Sequence, residues 1–158
     1  MCKRIQVLGD SISVGYGLRD NEPSFVTLLE SHPELSIDTF ALCGQTTFDL
    51  IQNIKLKQSV FYDTSIILIG TNGSVTSHEV ATLISEVRKT SNNIIICTVP
   101  IITVNNDVIR NVARKYQVTL ADINIDWKSE YFLQDLIHPN KEGHYYIYKK
   151  LLDLLIQK

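Results

Sequence analysis

Ile5-Gln6-Val7-Leu8-Gly9-Asp10-Ser11-Ile12-Ser13 is the stretch from which the architecture is read. Ile5 to Leu8 is short, apolar and β-prone. Gly9, Asp10 and Ser11 then end the run, and Val14-Gly15-Tyr16-Gly17 follows, again rich in glycine. A serine just past the carboxyl end of a buried strand sits where open α/β sheets place their ligands. A turn or helix start at this point would aim free backbone N–H groups at the same spot, where an oxyanion could bind. Ser13 stands where a Gly-x-Ser-x-Gly elbow has its second glycine, so the stretch is not that motif. Taken alone, it also reads as a turn whose Gly, Asp and Ser serve only the backbone.

Beyond this stretch, β-prone runs alternate with helical patterns. Pro23 opens a helix carrying Phe25, Val26, Leu28 and Leu29, which Pro33 stops. Ser36 to Leu42 reads as a second strand. Thr46 or Thr47 caps a helix with Leu50, Ile51, Ile54 and Leu56 on its apolar side. Ser65 to Ile69 is continuously apolar after its serine, as expected of a strand covered on both faces. A helix around Glu79 to Lys89 follows, then a strand from Asn93 to Val99, a helix from Asn106 to Tyr116 and a short strand from Val118 to Ile123. Asn140 caps a last helix running from about Glu142 to Ile156. Five alternations joined by right-handed crossovers predict a five-stranded parallel sheet with helices on both faces. The least helical stretch, Asp122 to Lys141, is long for a connection in a compact domain, and such loops are often functional.

The composition narrows the function classes. With 158 residues and no linker or repeat, a single domain over 1–158 is expected. The net charge of -2 gives no general attraction to nucleic acid or anionic membrane. No apolar segment is long enough to span a bilayer, and the amino terminus does not resemble a signal peptide, so the cytoplasm is the expected address. Of the three cysteines, Cys43 and Cys97 lie in apolar runs and are expected to be reduced, buried thiols. No Cys/His spacing resembles a zinc site.

Four punctuated stretches follow strands: Gly9-Asp10-Ser11, Cys43-Gly44-Gln45, Gly70-Thr71-Asn72-Gly73, and Asp135-Leu136-Ile137-His138-Pro139. A parallel sheet brings all four to one edge. Together they supply a nucleophile, a base with an acid beside it, and polar donors. In these stretches the chain resembles the SGNH hydrolases, also called GDSL esterases. Gly9 to Ser13 matches the first motif block with Ile12 in the leucine position, Gly44 the second, Gly70-Thr71-Asn72 the third and Asp135 to Pro139 the last. The resemblance covers nearly the whole chain. It implies a three-layer, flavodoxin-like sandwich and a serine esterase that works through an acyl-enzyme without metal or organic cofactor. It further implies Ser11 as nucleophile, His138 as general base and acid, and Asp135 as the group that orients His138. The oxyanion would be bound by the backbone N–H groups of Ser11 and Gly44 and by the Asn72 side-chain amide.

Two departures from the family pattern stand out. Gly73 replaces the aspartate that often follows the third-block asparagine, and Leu136 replaces the glycine that often follows the catalytic aspartate. The links after Asn72 and Pro100 run almost directly into helices, which predicts an open site and small acyl esters, acetyl to butyryl. The alternatives on the same machinery are carbohydrate O-acetyl transfer or deacetylation, and lysophospholipase or thioesterase action. The alternative from another class is a flavodoxin-like module that binds an anion on these loops. Substrate is thus a small-molecule or carbohydrate acyl ester, with no nucleic acid and no stable membrane insertion expected.

Other chemistry-bearing residues have plainer readings. Ser13 is the rival nucleophile but reads as packed near the turn. Asp10 is expected to brace its loop, and Asp122 and Asp126 to serve loop structure. His32 and His78 read as surface or capping residues, His144 as exposed or packed in the last helix. Cys43 reads as an inert thiol. Trp127, Tyr131 and Phe132 are candidates either for a hydrophobic wall beside the acyl group or for core packing. Of Tyr145, Tyr146 and Tyr148, at least one should pack and another face solvent.

Overall fold

The computed structural model describes residues 1–56 and 60–157. Its strands are β1 (Lys3–Gly9), β2 (Leu35–Ala41), β3 (Tyr62–Leu68), β4 (Ser91–Cys97) and β5 (Thr119–Ala121). Its helices are α1 (Ser11–Val14), α2 (Phe25–Glu30), α3 (Thr47–Lys55), α4 (Ser77–Arg88), α5 (Val104–Lys115) and α6 (Lys141–Ile156), with a 3₁₀ turn at Ser129–Tyr131. The strands pair in the order β2-β1-β3-β4-β5, all parallel. This is the three-layer, flavodoxin-like arrangement that the alternation and the motif resemblance implied.

Side chains of the central strands alternate between two cores. Ile5, Val7, Ile66, Leu68, Ile95 and Cys97 face one layer, where they meet Ile12 of α1, Phe25 and Leu29 of α2 and Ile147 and Leu151 of α6. Leu8, Ile67, Ile94 and Ile96 face the other, against Leu50 and Ile54 of α3, Leu83 and Ile84 of α4 and Ile109 and Val112 of α5. Burial on both faces is why the second half of β3 reads as a continuous apolar run instead of an alternating one. Each fully buried Ile or Leu contributes about 1.5–3 kcal/mol of transfer free energy, and Ile66, Ile67 and Leu68 are all buried in succession.

Helix starts are closed by side chains. Ser24, Thr76, Thr103 and Asn140 each accept a first-turn N–H, and Thr46 does so within a reciprocal capping box with Asp49. Two expectations need correction. Leu56 does not join the apolar side of α3; it caps the helix and is exposed, since the helix stops at Lys55. Cys43 is an exposed thiol, because β2 ends at Ala41 and Cys43 rides in the turn where the Gln45 N–H bonds the Leu42 carbonyl. Cys97 is buried as expected, and burial pushes its thiol pKa up. β5 is shorter than the apolar run suggested, an edge strand held by β4 alone.

Candidate active site

The chain leaves β1, runs out to β2 at the edge, and returns to β3 on the other side of β1. The loops after these three strands are therefore neighbours at the reversal of strand order, where open sheets leave a crevice. The fourth loop starts farther off. β5 lies three strand spacings from β1, about 14 Å at about 4.8 Å each. Residues 122–140 cover that distance, which explains why this connection is the long one.

That loop is anchored at its far end by Asn140. Its side-chain amide donates to the carbonyls of Glu130 and Phe132, while its oxygen caps Gly143 of α6. Asp135 makes the turn before it: one carboxylate oxygen accepts the N–H groups of Ile137 and His138, both at 2.9 Å, and the other lies 2.6 Å from His138 Nδ1. Leu136 bridges this turn at φ 57°, in the left-handed region. Glycine adopts that angle freely and leucine only with strain, so this turn places Leu136 where the backbone favours glycine. His138 Nε2 then sits 2.9 Å from Ser11 Oγ.

Proton placement follows from the acid. Burial alone would raise the Asp135 pKa, but the hydrogen bonds from His138 and Ile137 outweigh it and lower the pKa below the ordinary aspartate value. An ionised carboxylate can only accept, so Nδ1 carries the ring proton and Nε2 is left to accept from the Ser11 hydroxyl. Ser11 is the first residue of α1 and is nearly buried. Asp10 caps that helix by accepting the Ile12 N–H at 3.0 Å. Burial raises the Asp10 pKa, and interactions with Ile12, Thr71 and the charge of His138 pull the other way. It braces the loop, as read.

Gly44 and Asn72 lie on the adjacent loops. Gly44 has φ 76°, and a Cβ there would meet no atom within 4 Å, so what favours glycine here is the backbone angle and not crowding. Asn72 donates one amide hydrogen to the Gln45 carbonyl at 3.2 Å, leaving its second for a ligand. Gln45 was quoted in the second motif stretch without a role, yet it holds the region together. Its side chain donates to the Gly9 carbonyl and accepts from Asn53, both at 2.7 Å, and it is 4 % exposed. Asn105 acts likewise for the third loop, binding the carbonyls of Gly70 and Gly73 and the Val75 N–H. A depression of about 270 Å³ beside Gly44 is bounded by Leu42, Cys43, Gln45, Asp49 and Gln52.

The rival residues sit elsewhere. Ser13 is buried beneath Gly9, where a Cβ would come within 2.3 Å of its Oγ. Asp122 is paired with Arg110 at 2.8 Å and bonded by Thr98, and Arg110 above all lowers its pKa. Asp126 and His78 are exposed, and His32 accepts the Glu34 N–H near the end of α2. His144 is fully buried; its Nδ1 accepts the Phe25 N–H that opens α2, and burial lowers its pKa to about 4, so the ring is neutral. Trp127 packs against Tyr131, Phe132 and Tyr146 and joins the core on the α6 side. Tyr146 packs with them, whereas Tyr145 is 55 % exposed.

Among the described residues, no group of three or more His, Cys, Asp and Glu is placed to hold a metal ion. Nor is any helix long and apolar enough to cross a membrane. A parallel sheet with Ser11, His138 and Asp135 in one hydrogen-bonded line is the arrangement of a serine hydrolase. The chain belongs to the GDSL-like lipase/acylhydrolase family, whose model matches residues 7–146. No curated protein sequence matches it. Among solved structures it is similar to TesA, with TM-score 0.81 and 16% identity over 98% of each chain. It is also similar to the psychrotrophic esterase EstA from Pseudoalteromonas sp., with TM-score 0.78 and 17% identity over 97% of this chain and 96% of that one. A third is a carbohydrate esterase family 2 enzyme with a carbohydrate binding domain from Corynascus thermopiles. It has TM-score 0.75 and 15% identity over 97% of this chain and 65% of that one.

Proposed function

We propose that the protein hydrolyses small acyl esters, with short acyl groups, through a covalent intermediate on Ser11. The observation that carries this reading is the relay Ser11 Oγ, His138 Nε2, His138 Nδ1, Asp135 Oδ2, with spacings of 2.9 and 2.6 Å. In the first step the Ser11 oxygen attacks the ester carbonyl carbon as its proton moves to His138 Nε2. Asp135 stabilises the resulting imidazolium. The carbonyl oxygen becomes an oxyanion facing the N–H groups of Ser11 and Gly44 and the free Asn72 amide hydrogen, which strengthen as charge develops. His138 then gives its proton to the departing alkoxide, leaving the acyl group on Ser11. A water molecule, deprotonated by His138, attacks the acyl carbon; collapse returns the proton to Ser11 and releases the acid.

Labelling with a fluorophosphonate followed by peptide mass spectrometry tests the nucleophile. The adduct is expected on Ser11, and an unlabelled protein would favour the anion-binding module instead. For the oxyanion donors, Asn72→Ala should lower kcat about 10²–10³-fold with little change in KM. A variant within a few-fold of the parent in kcat would remove Asn72 from this role.

Substrate size follows from the loops. Only residues 69–76 separate β3 from α4, and only residues 98–103 separate β4 from α5. Of the aromatic candidates for a wall, Trp127 packs against the core, with Tyr131 and Phe132 against its ring. With such short links to build walls over a long acyl chain, each added CH₂ gains little of its roughly 0.8 kcal/mol. Across p-nitrophenyl esters below the micelle range, kcat/KM should therefore peak between acetyl and butyryl. A rise continuing through the medium chains would point to a lipase-like or thioesterase-like enzyme.

A further inference from the structure

We infer that Tyr16 is a positioning residue for His138, packing against the imidazole ring while its two nitrogens serve Ser11 and Asp135. This assignment rests on the proposed role of His138 as the base. The Tyr16 and His138 ring centroids are 4.6 Å apart with planes inclined at 48°. The tyrosine is 54 % exposed and its phenol bonds to none of the described residues, so neither core packing nor a hydrogen bond explains its place.

The backbone is built to hold it there. Gly15 ends α1 at φ 84°, with its N–H on the carbonyls of Ser11 and Ile12, and the Tyr16 N–H also donates to the Ser11 carbonyl at 3.0 Å. Gly17 follows at φ 82°, pressed so closely on the 122–140 loop that a Cβ would lie 2.4 Å from Leu133 Cδ1. Gly15-Tyr16-Gly17 is therefore a left-handed, aromatic, left-handed turn. It fixes the ring relative to the nucleophile and docks it on the loop that brings the base.

An imidazole needs such a support. The torsion between its Cβ and ring is a broad, roughly two-fold well, so hydrogen bonds at the two nitrogens define its plane only while both partners stay in place. During turnover the Ser11 partner is lost, because its oxygen becomes part of the acyl bond. An aromatic ring packed against the imidazole, 4.6 Å away between centroids, keeps Nε2 aimed through that interval at the water that attacks the acyl carbon. The π system of an aromatic ring this close also favours the imidazolium that forms in each half-reaction.

The test is steady-state turnover of a short p-nitrophenyl ester, together with the rate of fluorophosphonate labelling, in Tyr16→Phe, Tyr16→Leu and Tyr16→Ala. Tyr16→Phe keeps the π face and should stay within twofold of the parent. Tyr16→Leu and Tyr16→Ala should lose about tenfold in kcat, with KM within twofold and labelling slowed in step. Because the side chain is largely exposed, the melting temperature should hardly move, and either non-aromatic variant suffices if the other folds poorly. Parent-like kcat in both non-aromatic variants overturns the assignment. So does a loss confined to KM, which would mean that Tyr16 meets substrate, or an equal loss in Tyr16→Phe. A parent that neither turns over esters nor labels on Ser11 overturns the proposed function along with it, whereas an active, labelled parent isolates the failure to Tyr16.

Discussion

Ser11→Ala is expected to fold like the parent and to turn over esters about 10⁶-fold more slowly, because no other oxygen in the site can take its part. The change removes one nearly buried atom whose partner is His138 Nε2 and leaves the capping bond from Asp10 to the Ile12 N–H untouched. Ser13→Ala is the matched control. Its hydroxyl lies under Gly9 and has no hydrogen-bond partner among the described residues, so its removal should cost little in stability or rate. Circular dichroism and melting temperature establish folding, and kcat on p-nitrophenyl acetate reads the chemistry. An inactive Ser13→Ala beside an active Ser11→Ala would reverse the assignment.

Asp135→Asn should cost about 10⁴-fold in kcat while leaving KM near the parent value. The carboxylate serves two masters: one oxygen takes the backbone N–H groups of Ile137 and His138, the other His138 Nδ1. An asparagine has one oxygen. If it stays on the backbone, the NH₂ group faces Nδ1 and forces the tautomer that carries its proton on Nε2, which cannot take one from Ser11. Asp122→Asn is the comparison, since it breaks the pair with Arg110 instead. It should lower the melting temperature and spare kcat per folded molecule. The opposite pattern would make Asp122 the acid of the triad.

The fold was legible because a two-sided parallel sheet writes itself into sequence as uninterrupted apolar runs. Ile66 to Ile69 is such a run, Ile5 to Leu8 is broken only by Gln6, and the helices between them carry their apolar residues at helical spacing. The first three motif stretches were legible because each follows closely on a strand end, and the last because it lies in the one long loop. What escaped was contact between distant segments. Periodicity assigns faces, and nothing in it pairs Tyr16 with His138 or Asn105 with Gly70. Cys43 was misread because an apolar neighbourhood in sequence does not reveal that the strand has already ended. Leu136 hid its backbone angle, since leucine is the wrong residue from which to expect φ 57°.

The amide of Gln45 has a consequence for how such a site can change over evolutionary time. The buried Gln45 side chain ties the end of β1 to α3, and the backbone carbonyl of the same residue seats Asn72. The loops after β1, β2 and β3 are thus joined to α3 in a single casting, in which a substitution at Gln45, Asn53 or Asn72 disturbs the others. The rim is different: Leu42, Leu136 and Ile137 stand exposed, and Leu42 and Ile137 can be exchanged without touching that casting. New substrates are then reached by trading rim residues one at a time, while the chemistry beneath is inherited whole.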